Sequence, residues 1–437
     1  MILEGITFAL AIFALGLSLM ALLDTSGIKT PKVPAWLHGE KIRGRIIGIV
    51  AIVAFVLYLM WAHDLLRVEL FEYTARALTE NWTSLILAAS LLATPLTLAA
   101  VGECLSERAG LFNIGLEGIF FLSVVIGVRG AENPVVGLGA GAGAGAVIGA
   151  LAALAVAEKL GRLLGRFAKL VAAFVGGLAG GLIGYFIMSI VIAGLGGGVA
   201  GLLVGALTGA LIGFIFSVMA VYLRANQLVL GMGINIFATG MLAFLLMTIW
   251  GFPGIHSVRP VLHIPKLLGY LTPVFFVAVI VAIVAHIILH KTLFGLRIRA
   301  AGEKPEAVDV AGARIDRIRI LVCTVGAALA GLGGAFFSLG WFGEIVKEMA
   351  VGMGFIALAV VVVAGLEPLL ALAVAFVFGF VRVLADWVAT SAGISSVLPG
   401  AFYLMHMVPF IVTLLVVTIF IGRRPFPKAL GKPYIRE

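Results

Sequence analysis

Residues 84–128 read SLILAASLLATPLTLAAVGECLSERAGLFNIGLEGIFFLSVVIGV. The stretch begins and ends on apolar runs and breaks them with GECLSERAGLFNIGLEG, residues 102–118. A bilayer core about 30 Å thick takes roughly 20 apolar residues per helix. The runs 84–102 and 114–128 therefore read as membrane spans. Between them crowd Glu103, Glu107, Arg108, Asn113 and Glu117, spaced by Gly102, Gly110, Gly115 and Gly118. The plainest reading of the break is a short solvated turn. Asn113 and Glu117 argue against it, because they share one helical face at the start of a span, where desolvation is costly.

Outward from this stretch the whole chain has the same character. It has 437 residues, 62% hydrophobic and only 12% charged, with 56 glycines and a mean hydropathy of +1.20. A soluble domain carries about 25% charged residues. The composition excludes a soluble enzyme, a disordered chain and a disulfide scaffold. Apolar segments fall near 5–23, 45–62, 84–102, 114–128, 135–157, 170–193, 197–222, 228–250, 270–289, 319–340, 353–365, 369–389 and 401–421. The expected fold class is all-α, a polytopic membrane helical bundle of about thirteen transmembrane helices, treated as a single transmembrane domain over 1–437.

The net charge of +9 is then a matter of orientation, since basic residues gather on the cytoplasmic side, and no nucleic-acid partner is expected. Lys29, Lys32, Lys41, Arg43 and Arg45 cluster in 24–45; Lys159, Arg162, Arg166 and Lys169 in 158–169. Lys291, Arg297, Arg299, Lys304, Arg314, Arg317 and Arg319 follow in 290–319, and Arg423, Arg424, Lys428, Lys432 and Arg436 in the tail. An odd span count puts all four on one side, with the N-terminus outside and the C-terminus in the cytoplasm. The start of the chain lacks a basic n-region, so 5–23 reads as a retained first span.

Three polar features stand out of the apolar background. Residues 102–118 are the first, with Glu103, Glu107 and Arg108 in a structural or gating role. The second is RANQLVLGMGIN, 224–235. There Asn226 and Gln227 suit helix capping. Asn235 with Thr239 makes an i,i+4 stripe that either lines a pathway or bonds a neighbouring helix. The third is FGLRIRAAGEKPEAVDVAG, 294–312. Pro305 suits a first helical turn, Glu306 and Asp309 are favourable near a helix start, and Gly312 is placed to end it. The Gly-rich runs 137–145 and 194–198 favour close helix approach and lack the context of a phosphate loop.

No catalytic set is present: there is no Ser/His/Asp grouping, no HExxH and no carboxylate pair in mid-span. His286 and His290 share a helical face, but no nearby carboxylate or cysteine in the sequence completes a metal set, so no metal site is expected. Arg382 and Asp386, also i,i+4, read as a structural pair. The scarcity of buried ionisable groups disfavours the alternative of a gradient-driven secondary transporter or channel for a small polar solute.

Together the three features resemble the permease subunits of ATP-binding cassette importers, in the branch that handles ribose, other simple sugars, nucleosides and branched-chain amino acids. Residues 102–118 are most similar to the nucleoside and simple-sugar members. The stretches 224–231, 294–312, AALAGLGGA at 327–335 and GFIALA at 354–359 extend the likeness over roughly 45–135 and 220–420. The resemblance implies a permease moving a nucleoside or simple sugar inward, driven by a separate P-loop ATPase through coupling loop 291–319. Gly302, Glu303, Pro305, Glu306, Asp309 and Gly312 would form the coupling element. Asn113, Glu117, Asn235 and Thr239 would lie on the solute pathway, and Glu103, Glu107, Arg108 and Asn226 would gate or brace it. The chain would bind no cofactor; ATP would be used by the partner. The implied partners are that ATPase, a second permease chain, same or different, and an extracytoplasmic solute-binding protein or lipoprotein. The implied location is the plasma (inner) membrane of a prokaryote. Against a family core of about ten spans, this chain adds an N-terminal span with its basic loop (1–44) and a Gly-rich hairpin near 160–222. Those additions divide the core into 45–159 and 223–437.

Overall fold

The structure is a computed structural model that describes residues 81–159, 166–251, 254–259, 264, 271–346, 352–390, 401–420 and 426–434. In chain order its helices are α1 (Trp82–Arg108), α2 (Leu116–Glu132), α3 (Pro134–Lys159), α4 (Arg166–Leu195), α5 (Gly197–Val221), α6 (Gln227–Trp250), α7 (Pro273–Lys291), α8 (Leu293–Glu303), α9 (Pro305–Val310), α10 (Ile315–Phe336), α11 (Met353–Ala364), α12 (Pro368–Thr390) and α13 (Ala401–Phe420). A π-helical turn, Phe337–Phe342, continues α10. Two short strands, β1 (His256–Ser257) and β2 (Glu344–Ile345), pair antiparallel with His256 opposite Ile345. The all-α membrane bundle expected from composition is what the chain forms.

Each expected segment after residue 80 falls on a helix, but not every helix can cross a bilayer. Among the described residues seven are long and apolar enough: α1, α4, α5, α6, α7, α10 and α12. The segments 114–128 and 135–157 become α2 and α3, a pair bent by 116° at Asn133. Asn133 makes the corner by accepting a bond from Val135 N at 3.0 Å, and Pro134 opens α3, where its missing N–H costs nothing. The segment 353–365 forms α11, only 12 residues long. At 1.5 Å per residue it reaches about 18 Å, well short of the ~30 Å core. The expected spans at 5–23 and 45–62 and the basic loop of 1–44 lie outside the described residues.

The chain divides into two compact units: residues 1–89 with 378–424, and residues 90–377 with 425–437. In the first, Arg382 and Asp386 form the expected i,i+4 pair at 3.2 Å. The second holds the remaining features. Its centre is α2, which packs against α5, α6 and α10, around fully buried Phe120, Phe216, Phe336 and Phe337.

Small residues set the helix spacing. A Cβ on Gly141, Gly145 or Gly149 of α3 would strike the backbone of Gly184, Gly180 or Gly176 of α4, while Gly139 and Gly143, on the other face, have open space. Glycine against glycine is thus how α3 and α4 pack. Helix α5 instead lays Gly205, Gly209 and Gly213 onto Gly331, Ala327 and Ala335 of α10.

Candidate functional site

The break between α1 and α2 is fixed by side chains that bond to backbone. Glu103, 1% exposed, accepts from Asn113 N at 2.7 Å. Asn113 Oδ1 accepts from Gly115 N at 2.9 Å. From α6, Gln227 Oε1 accepts from Phe112 N at 2.8 Å. Asn235 bonds in both senses: its Oδ1 accepts from Gly118 N at 2.8 Å and its Nδ2 donates to Ile114 O at 3.0 Å. A helix start leaves N–H groups without helical partners, and inside a membrane these must be met within the protein. Asn235 meets Gly118 N of that start, while Glu103 and Gln227 meet Asn113 N and Phe112 N in the break before it. Packing is equally close, because a Cβ on Gly118 would sit 2.8 Å from Ile234 O.

Glu117, in the first turn of α2, serves a second helix start. Its carboxylate accepts from Gly352 N and from Gly354 N at 2.7 Å, which opens α11. A carboxylate at the positive ends of two helices is well placed electrostatically. Thus Asn113, Glu117 and Asn235 come together, with their polar atoms held by backbone. Thr239 does not join them; it is exposed on α6 and bonds Asn235 O at 2.9 Å. Asn226 caps α6 through Leu228 N at 2.9 Å and Val229 N at 3.3 Å. Glu107 is fully buried, and neither carboxylate oxygen has a hydrogen-bond partner.

The second cluster is an elbow formed by α8 and α9, with Lys304 between them. Thr292 caps α8 through Gly295 N at 3.1 Å, and Pro305 starts α9. Gly302 lies where a Cβ would strike Arg108 O. Gly312 ends the elbow at φ +78°, a conformation that favours glycine. Glu303 and Glu306 are exposed and Asp309 half-buried, while Val310 is 90% exposed. A groove runs between this elbow and the C-terminal tail, lined by Glu306, Asp309, Lys428, Lys432 and Tyr434 among others.

Arg319 ties these parts together. The sequence reading counts it as a loop charge, yet it is 2% exposed. Its guanidinium donates to Ala109 O at 3.0 Å, Ala301 O at 3.2 Å and Lys432 O at 3.1 Å. The tail adds Ala429 N to Gly302 O at 2.8 Å and Gly431 N to Gly110 O at 3.1 Å, with Tyr434 Oη on Asp309 at 3.1 Å. Arg108, one residue before the α1–α2 break, reaches the turn between α11 and α12. It donates to Leu366 O at 3.2 Å and Gly365 O at 3.3 Å, and pairs with Glu367 at 3.1 Å. The elbow, the break and the α11–α12 turn are thus one bonded assembly. Sequence spacing gives no sign of Arg319, Glu367 or the tail as its members, because each joins residues far apart in the chain. The one available signal is the position of Arg319, the last charge before the apolar run of α10.

The sequence profile of a family described as "Branched-chain amino acid transport system / permease component" matches residues 166–417. The chain is 33% identical over 235 residues to the guanosine ABC transporter permease protein NupQ of Bacillus subtilis (strain 168), covering 51% of this chain and 73% of that one. It is 31% identical over 235 residues to the nucleoside ABC transporter permease protein NupC of Lactococcus lactis subsp. cremoris (strain MG1363), with the same coverage of 51% and 73%. The putative glucose ABC transporter permease protein TsgC13 of Haloferax volcanii is 28% identical over 253 residues, 51% of this chain and 77% of that one. No solved structure matches the chain.

Proposed function

Because this chain belongs to the branched-chain amino acid transport system permease-component family, we propose that it is the membrane permease of an ATP-binding cassette importer for a nucleoside. Three relatives that are at least 30% identical, one of them over 107 residues only, carry guanosine or nucleoside in their names, and that favours a nucleoside over a simple sugar. A separate P-loop ATPase supplies the energy, and this chain binds no nucleotide itself. A second permease chain completes the membrane part, and an extracytoplasmic binding protein or lipoprotein delivers the solute. The basic loops and the tail face the cytoplasm of a prokaryotic cell, and the N-terminus lies outside.

The observation that carries this reading is the α8–α9 elbow. It projects Glu306 and Val310 outward while its inner side is locked to Arg108 O, Arg319 and the tail. A rigid, outward-facing short helix is what a mechanical coupling element requires. Gly302, Glu303, Pro305, Glu306, Asp309 and Gly312 shape that element. Arg108 carries its displacement to the break and the α11–α12 turn. Asn113, Glu117 and Asn235 hold the break at the solute pathway by fixing its backbone, with Thr239 on the adjoining face of α6. Glu103, Glu107 and Asn226 brace the same region.

Uptake of labelled guanosine into vesicles holding this chain and its co-purified partners tests the reading. Uptake should require internal ATP and be competed by unlabelled nucleosides, with leucine and glucose ineffective. Competition by glucose alone would overturn the nucleoside assignment.

A further inference from the structure

The last two turns of α7 carry chemistry that the transport reading leaves unused. His286 and His290 stand i,i+4 with ring centroids 4.6 Å apart. The sequence offers them no third ligand nearby, but the fold does. Glu367, 77 residues beyond His290, places Oε2 at 2.9 Å from His290 Nε2 and 3.7 Å from His286 Nδ1. The three ligand atoms all lie within 4.8 Å of one another, the one such group among the described residues.

A simple ion pair does not account for all three. It would join His290 to Glu367 and leave His286 Nδ1, which is buried and has no hydrogen-bond partner, aimed at an oxygen already engaged. We propose that His286 Nδ1, His290 Nε2 and Glu367 Oε2 form a binding site for a divalent first-row metal ion of the zinc class. Ligand atoms about 2.0–2.1 Å from zinc stand roughly 3.3 Å apart at the tetrahedral angle, and the observed 2.9 and 3.7 Å bracket that spacing. Two imidazoles with one carboxylate select zinc, cobalt or nickel over magnesium and calcium, which prefer oxygen. The side chains are 33%, 25% and 18% exposed, so the cluster lies near the protein surface.

The surroundings orient the carboxylate. Arg108 holds its other oxygen, Oε1, at 3.1 Å and also the carbonyls of Gly365 and Leu366. Outer partners of this kind hold ligating carboxylates in place. Gly365 and Leu366 both take left-handed backbone, at φ 62° and 63°, which for Leu366 is uncommon. That turn is what points Glu367 back at α7. The ion would pin the end of α7 to the α11–α12 turn.

The test uses the full chain, purified with a tag free of histidine, stripped with chelator and dialysed. Titration with Zn2+ should give one ion per chain, and Co2+ should give the intense visible bands of a tetrahedral site. His286→Gln and Glu367→Gln should each weaken Zn2+ at least tenfold, while His256→Gln should not. Melting without added metal shows that His286→Gln is folded. Absence of stoichiometric Zn2+ binding in the unaltered chain, a weak six-coordinate Co2+ spectrum, or wild-type affinity in both ligand variants would overturn the proposal.

Discussion

Replacing Arg319 by lysine should release the C-terminal tail although charge is conserved. The guanidinium reaches three backbone carbonyls, on Ala109, Ala301 and Lys432, from a site 2% exposed. Lysine presents a point charge on a flexible stem and cannot span the fork. Hydrogen bonds from a charged donor are worth about 1.5–3 kcal/mol each. Loss of two of the three thus removes roughly 3–6 kcal/mol, as a sum of two such bonds. Only one of them, to Lys432 O, holds the tail directly, and about 1.5 kcal/mol there raises tail opening roughly tenfold. Ala429 is 8% exposed, and native Cys104 and Cys323 are buried, so Ala429→Cys is a selective reporter. Its maleimide labelling should speed up about tenfold when Arg319→Lys is added, or Arg319→Met if that one lost bond is what counts. Thermal melting should fall by several degrees in both variants. Labelling and melting in Arg319→Lys that match the parent would refute the argument that fork geometry, not charge, secures the tail.

Asn235→Ala leaves Gly118 N–H and Ile114 C=O without partners, at about 1–3 kcal/mol each; Asn226→Ala removes only a cap, worth about 1 kcal/mol. Chemical denaturation in mixed micelles should rank Asn235→Ala clearly below Asn226→Ala, and equal losses would contradict the bonding at the break. Gly145→Leu should destabilise the α3–α4 hairpin by about 1–3 kcal/mol or more through overpacking, whereas Gly143→Leu, with nothing near it, should melt like the parent. Glu117→Gln keeps one acceptor oxygen but loses charge and one of two backbone bonds. It should lower stability less than Glu117→Ala, and proteolysis near residue 352 should follow the same order.

Much of the fold was legible because membrane burial writes itself in long apolar runs. Residues 84–102, 228–250 and 369–389 are helices for the reason their composition gives. What runs of letters do not carry is reach. The segment 353–365 is as apolar as its neighbours, but Gly365 ends its helix after 12 residues, and Asn133 turns 114–157 through a corner. At the site, Glu103, Asn113, Glu117 and Asn235 were visible as polar residues in costly places. Their common task, satisfying backbone in the break and at two helix starts, was not, since it depends on which helix lies opposite. Arg319 read as a loop charge because its three partners come from three distant segments. Glu367 stood in a short loop with no sign that it faces His286 and His290. The Gly-rich pairing was visible as a tendency, yet glycine content alone could not say that α4 partners α3 while α5 turns to α10.

The most direct test of the transport account is to isolate this chain gently from its native membrane by a tag and identify its stoichiometric companions. The account expects a P-loop ATPase, present with the unaltered chain and lost when Glu306 and Asp309 are changed to lysine, in a complex whose ATP hydrolysis rises with a nucleoside-loaded binding protein. A chain that emerges free of any ATPase and still moves nucleoside down a gradient in liposomes would contradict it.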